Sequence, residues 1–461
     1  MTELFRLSAC SVVERLRSGE LSIKDLLDAV QARIAAVDGA INSLPTLCFE
    51  RAAKQAAALQ TLPADRRGIL AGLPVTIKDL TDVAGVCSTS GSLVFKDRVP
   101  EISDQLVTRI EGRGGVVYAK SNTPEFGAGG VTFNSVFGNT RSPYDLNRNA
   151  GGSSGGAAAS LACGCAWLSH GSDMAGSLRT PASFCGVTSL RPSPFTIRTD
   201  SPTKPFDVLG ADGPMARTVA DLALFADAMR NDDSLSMQAA LRERSIKPFR
   251  QLNIAFSHDL GVAAVSAEVR DVFQQFIDRT LNQCESTVEA QPALEGTHEA
   301  FDTLRAQFYA TGLESLLDQH RFTIKPEVVW NVEQGLAPTS RKLREAERAQ
   351  GKVVHDAAQF MKDIDVLICP ATSLKSVAAD CRYPGASDGV PVADYYRWLA
   401  IAYASTMTTL PIITLPVGHF EDGFPFGIQL IGKPGGEAAL FQIAQQIEQL
   451  VGGFGEPVDP R

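Results

Sequence analysis

The sequence has little that would carry it to a nucleic acid, a membrane or an oxidising compartment. Its 461 residues include 43 Lys and Arg against 52 Asp and Glu, a formal charge of −9. No block of basic residues interrupts that acidic balance, so a nucleic-acid partner is not expected. The opening MTELFRLSAC has no basic segment leading into an apolar run, and no signal peptide is read there. The most apolar stretch, AAASLACGCAWL (157–168), falls short of the roughly 20 residues that span a bilayer, so no membrane association is expected. The nine cysteines include no C-x-x-C pair, and only Cys163 and Cys165 lie close together. That pattern suits reduced thiols acting as small hydrophobes in a cytoplasm, not a disulfide framework or a zinc site.

What is present is an alternation of helices and apolar strands. Ser22 precedes IKDLLDAVQARIAAV with Asp25 three positions on, a variant of the capping box, and Gly39 is expected to close that helix. GLPVTIKDL (72–80) reads as a short strand ending at Lys78. SDQLVTRIEGRGGVVYAK (103–120) reads as a capped helix, a Gly-Gly stop and a β-branched strand. A small-residue helix over AAASLACGC and a strand over AWLSHG follow, then an amphipathic helix from Thr218. VLICPAT, PIITLPVG and FGIQLIG are later strands, and EAALFQIAQQIEQLV is a closing helix. The charged stretches 232–250 and 340–352 read as surface. This order predicts one α/β domain: a mixed, mostly parallel sheet covered by helices on both faces. Within it we expect an N-terminal helical segment (1–65), a core bearing the site (66–230), a variable helical region (231–355) and a closing part of the sheet (356–461).

Two glycine-backed serines stand out: GGSSGG (151–156) and SDMAGSLR (172–179). A phosphate-binding P-loop requires Lys-Ser or Lys-Thr after its last glycine, and Ala157-Ala158 stands there. A dinucleotide fingerprint requires a preceding strand, and a polar loop, YDLNRNA, precedes it instead. Tight turns alone would explain GGSSGG, but Ser153, Ser177 and Lys78 together are the parts of a relay, a nucleophile and a base. A serine hydroxyl attacks only when a base removes its proton. A lysine is that base only when neutral, and burial disfavours its charged form.

The chain resembles the amidase signature family. The resemblance runs from the N-terminal helices to the closing helix. Its most specific part is NTPEFGAGGVTFNSVFGNTRSPYDLNRNAGGSSGGAAAS followed by GSDMAGSLRTPASFCG. GLPVTIKD, GPMARTVADLALFADAM and LPIITLPVG…GFPFGIQLIG also match. The resemblance implies Lys78 as catalytic base, Ser153 as a relay after a cis peptide bond, and Ser177 as acyl nucleophile. It implies an oxyanion hole from the N–H groups of Met174, Ala175, Gly176 and Ser177, and a substrate cleft lined by Gly127 and Gly129. Asp173 and Arg179 would hold the loop without reacting. His170 reads as a packing or hydrogen-bonding residue, and Ser154 yields to Ser153 on the family's 24-position spacing.

The implied activity is hydrolysis of a linear, non-peptide amide of a small molecule through an acyl-enzyme, with no cofactor and no metal. A homodimer is left open. Rival readings are the ammonia-supplying component of a glutamyl-tRNA(Gln) amidotransferase, which typically carries an NMDEFAMGS-like segment where this chain has NTPEFGAGG, and a non-catalytic binding protein on the same fold. The sequence ends where the family domain ends, so no further C-terminal domain is expected. Three departures bear on the pocket. Ala175 replaces a common glycine, STMTTLPII (405–413) lacks the usual Asn and Gly, and Phe195 takes the glycine place after RPSP, either near the cleft or in packing. Phe301, Phe308, Tyr309, Phe322, Trp330, Tyr395, Tyr396 and Trp398 are candidates either for an apolar pocket or for core.

Overall fold

In the computed structural model, residues 3–198, 204–232, 236–243, 247–387 and 389–461 are described. Parts of the charged stretch 232–250 lie outside them. Eleven strands form one sheet: β1 (Thr46–Leu47), β2 (Pro74–Lys78), β3 (Val116–Ser121), β4 (Leu168–Asp173), β5 (Thr188–Arg191), β6 (Ala211–Ala216), β7 (Asn253–Phe256), β8 (Ser286–Glu289), β9 (Val366–Pro370), β10 (Ile412–His419) and β11 (Pro425–Ile431). Their order is β1-β3-β2-β4-β6-β5-β10-β11-β9-β7-β8.

The sheet is mixed, as expected, but antiparallel ladders outnumber parallel ones. Six neighbouring pairs are antiparallel and four are parallel. The parallel pairs join β2 to β3 and β4 at one end, and β7 to β8 and β9 at the other. Between them β6 folds back along β4, and β10 and β11 form a hairpin. Alternating helices and strands do not reveal where a strand reverses without a helix, and that is why "mostly parallel" fails.

Every residue of β2, β3, β9 and β11 is buried, which requires cover on both faces. The strand and helix assignments read from sequence stand with small shifts. Ser22 and Asp25 complete the capping box, but the helix runs through Gly39 to Ile41 and ends on Asn42 at φ +59°. Thr218 accepts the N–H of Asp221 at the start of Val219–Met229, and the closing helix is Glu437–Val451. The stretch 340–352 is the first half of a mostly exposed helix, Ser340–Phe360. No described helix is long and apolar enough to cross a membrane. All nine cysteines are unpaired, four of them buried.

GGSSGG owes part of its composition to packing. A Cβ on Gly156 would lie 2.3 Å from the backbone nitrogen of Asn122, and one on Gly152 would lie 2.7 Å from the carbonyl carbon of Val131. Backbone, not phosphate, approaches these glycines, and only glycine admits that contact.

Candidate active site

Three elements converge on one cavity. β2 delivers Lys78 at its last residue. The turn before the helix Gly155–Ala162 delivers Ser153, after a cis Gly152–Ser153 peptide bond. The loop leaving β4 delivers Ser177. The cavity holds about 220 Å³, and Ser153, Ser177, Ser172, Met174 and Gly127 are among its lining residues.

Lys78 is fully buried. Its Nζ lies 2.7 Å from Ser153 Oγ, 2.8 Å from Ser154 Oγ and 3.0 Å from Ser172 Oγ, with the Ser172 carbonyl at 3.4 Å. Desolvation pulls its pKa from 10.5 down to about 7, against the opposing pull of the Asp212 and Asp173 carboxylates. A substantial neutral fraction at neutral pH follows. Asp79, the next residue, turns away as strand alternation requires. It pairs with Lys120 at 3.0 Å and accepts the Thr89 N–H.

The loop bearing Ser177 is held from inside by Asp173. Its carboxylate accepts the N–H groups of Gly176 at 3.1 Å and Leu178 at 2.9 Å, and the guanidinium of Arg179 at 2.7 and 3.0 Å. Arg191 adds a contact to the Asp173 carbonyl at 2.7 Å. Two guanidiniums drive the Asp173 carboxyl far below its ordinary range despite burial. Arg179 then ties the loop to the far side of the core, through Ala402 O, Ser405 Oγ, Thr406 Oγ1 and Gln429 Oε1 at 2.6–2.7 Å. Ser405 and Thr406 belong to the STMTTLPII stretch that departs from the family, and they serve here as ligands of Arg179.

The structure corrects two expectations. Gly176 does not offer a free N–H, because Asp173 already accepts it; its φ of +104° makes it the turn residue. The N–H groups of Met174, Ala175 and Ser177 have no protein partner among the described residues. Gly127 does reach the serines: a Cβ there would stand 3.5 Å from Ser153 Oγ. Gly129 does not line this cavity. The short turn Glu125–Gly127 carries it behind, where it faces Lys325 in a separate small recess.

Phe195 lines the cavity at φ +69° and is half-exposed, so it keeps a glycine-like backbone while adding a ring at the mouth. Of the eight candidate aromatics only Phe308 and Tyr309 reach the cavity. Most of the others are packing. Tyr395 and Tyr396 enclose the buried Arg305 at 5.2 and 4.2 Å from ring centre to guanidinium, and Phe301 stacks on Tyr403 at 4.4 Å. Phe322 is fully exposed.

Sequence reasoning missed Ser172 as a lysine contact and Asp212, Lys204 and Phe126 as lining residues. Ser172 had a signal, since alternation along β4 aims it to the same side as His170. Asp212 had none, because its proximity depends on β6 pairing with β4.

A large mixed-sheet α/β protein with a buried lysine among serines, beneath a loop with free N–H groups, has the parts that nucleophilic chemistry on a carbonyl needs. The Amidase family model matches residues 25–441, and the chain belongs to this family of carbon–nitrogen hydrolases. An acylamidase of Rhodococcus erythropolis is 31% identical over 97% of this chain and 96% of that protein. The A component of the glutamyl-tRNA(Gln) amidotransferase of Anaeromyxobacter dehalogenans (strain 2CP-C) is 29% identical over 99% of both chains. The crystal structure of a bacterial aryl acylamidase superposes with a TM-score of 0.88 at 23% identity, over 96% of each chain. That likeness speaks for the fold.

Proposed function

We propose that the protein is a free-standing amidase that hydrolyses a small-molecule amide through Lys78, Ser153 and Ser177. The carrying observation is the 2.7 Å contact of the buried Lys78 Nζ with Ser153 Oγ, a serine that lines the same cavity as Ser177. Neutral Lys78 accepts a proton by way of Ser153 as Ser177 Oγ bonds to the amide carbon. The oxyanion meets the N–H groups of Met174, Ala175 and Ser177, and each such donor is worth roughly 3 kcal/mol in comparable sites. As the C–N bond breaks, Ser153 passes its proton to the departing nitrogen and regains one from Lys78. Water then repeats the attack on the acyl-enzyme and frees the carboxylate.

A cavity of about 220 Å³, set against the roughly 150 Å³ that holds a benzene ring, suits one ring with a short acyl and amide portion. Phe126, Phe308, Tyr309 and Phe195 supply apolar wall for it. The similarity to an acylamidase supports the same class. The similarity to a glutamyl-tRNA(Gln) amidotransferase component supports a second reading, ammonia release for a partner complex. The purified chain turning over small amides alone would favour the first. Unpaired cysteines suit a reducing compartment, and we assign the protein to the cytoplasm.

The test is covalent labelling with a fluorophosphonate. Ser177→Ala should abolish it, and Ser153→Ala should slow it while leaving the nucleophile in place. Complete loss in both variants, each correctly folded, would count against these roles.

A further inference from the structure

Behind Lys78 runs a hydrogen-bonded chain that the mechanism above does not use. His170, fully buried on β4, lies with Nδ1 3.3 Å from the backbone nitrogen of Lys78. An N–H can only donate, so Nδ1 is the acceptor and the ring proton sits on Nε2. Nε2 then donates to Asp212 Oδ1 at 2.9 Å. The β4–β6 ladder brings this about by setting His170 opposite Pro214 and Ser172 opposite Asp212. The Asp212 carboxylate lines the cavity that contains both serines.

Asp212 differs from the other carboxylates around Lys78. Asp173 is matched by Arg179 and Arg191, and Asp79 by Lys120 on the far side of the strand. Asp207, with its carboxylate on the Gly210 N–H, stands on the outer loop beside Arg198 and Lys204. Asp212 faces a neutral imidazole. Among the carboxylates its field does most to favour the lysine's proton, where burial opposes it.

We propose that Asp212, held through His170, is a positioning residue that sets the electrostatic field at Lys78 and so fixes the pH at which the base becomes available. This rests on Lys78 being the base, as proposed above. The same field stabilises the ammonium that forms when Lys78 takes the proton from the serines. Losing it should free the base at lower pH but weaken it.

The experiment measures the inactivation rate constant of a fluorophosphonate against pH for wild type, Asp212→Asn, Asp212→Glu and Lys78→Ala. In Asp212→Asn the acid limb should move down by on the order of one pH unit. Reactivity near pH 6, as a fraction of the plateau, should then rise about five-fold while the plateau itself falls. Asp212→Glu should return the limb towards wild type, which a merely structural role would not do. A limb that disappears in Lys78→Ala yet stays unmoved in Asp212→Asn overturns the inference alone. A limb that persists in Lys78→Ala overturns the underlying assignment of the base instead. If Asp212→Asn does not fold, Asp212→Ser reads the same limb, and failure of both to fold makes Asp212 a structural residue and ends the proposal.

Discussion

Replacing Lys78 by Met should stabilise the protein near neutral pH while removing its chemistry, and the effect should reverse sign at alkaline pH. Lys78 binds its proton with a pKa of about 7 in the folded chain, against 10.5 in the unfolded one. Unfolding therefore takes up a proton between those values, and wild-type stability rises with pH across that window. The penalty is fully present below about pH 7 and gone above about pH 10.5. At pH 7 it amounts to about 4 kcal/mol, and near pH 9.5 to about 1 kcal/mol. Met fills a similar volume without a charge, but it gives up contacts with the hydroxyls of Ser153, Ser154 and Ser172. These are worth about 1 kcal/mol each, and Ser154 keeps a bond to the Ser172 carbonyl. The net gain should be about 2 kcal/mol near pH 7 and should turn into a net loss of about 1 kcal/mol near pH 9.5, a swing of about 3 kcal/mol. Urea unfolding of both proteins at the two pH values measures it. An advantage that does not change with pH would mean that Lys78 is not held with a depressed proton affinity, and the argument for a neutral lysine base would fall.

Two further outcomes follow from the cavity and its supports. Arg179→Met leaves the buried Asp173 carboxylate with only Arg191 as a cation and strands several acceptors, so stability should drop by about 3–5 kcal/mol in thermal or urea unfolding. If Phe308 and Tyr309 form an apolar wall for the substrate, acyl anilides should be hydrolysed with a higher kcat/KM than small polar amides such as malonamide. The reverse order would refute that wall.

Much of this protein was legible in its sequence. Ser22 with Asp25, Thr218 and the run PVTIK carry their structural meaning locally, through caps and periodicity that need only a few neighbouring residues. The Lys78, Ser153 and Ser177 group was legible for a different reason: it sits inside long stretches that resemble a known family. What tertiary structure alone decided depends on which strands lie side by side. The pairing of β6 with β4 puts Asp212 beside His170 and Ser172, about 40 residues away in the chain. The fold of the Ser177 loop spends the Gly176 N–H on Asp173 instead of leaving it for a substrate. A turn at Glu125–Gly127 sends Gly127 to the serines and Gly129 away from them, although only one residue separates the two. The candidate aromatics divide between a wall of the cavity, Phe308 and Tyr309 on the helix Thr297–His320, and a cage around Arg305 from Tyr395 and Tyr396 in a turn, because only the tertiary fold sets what each ring meets.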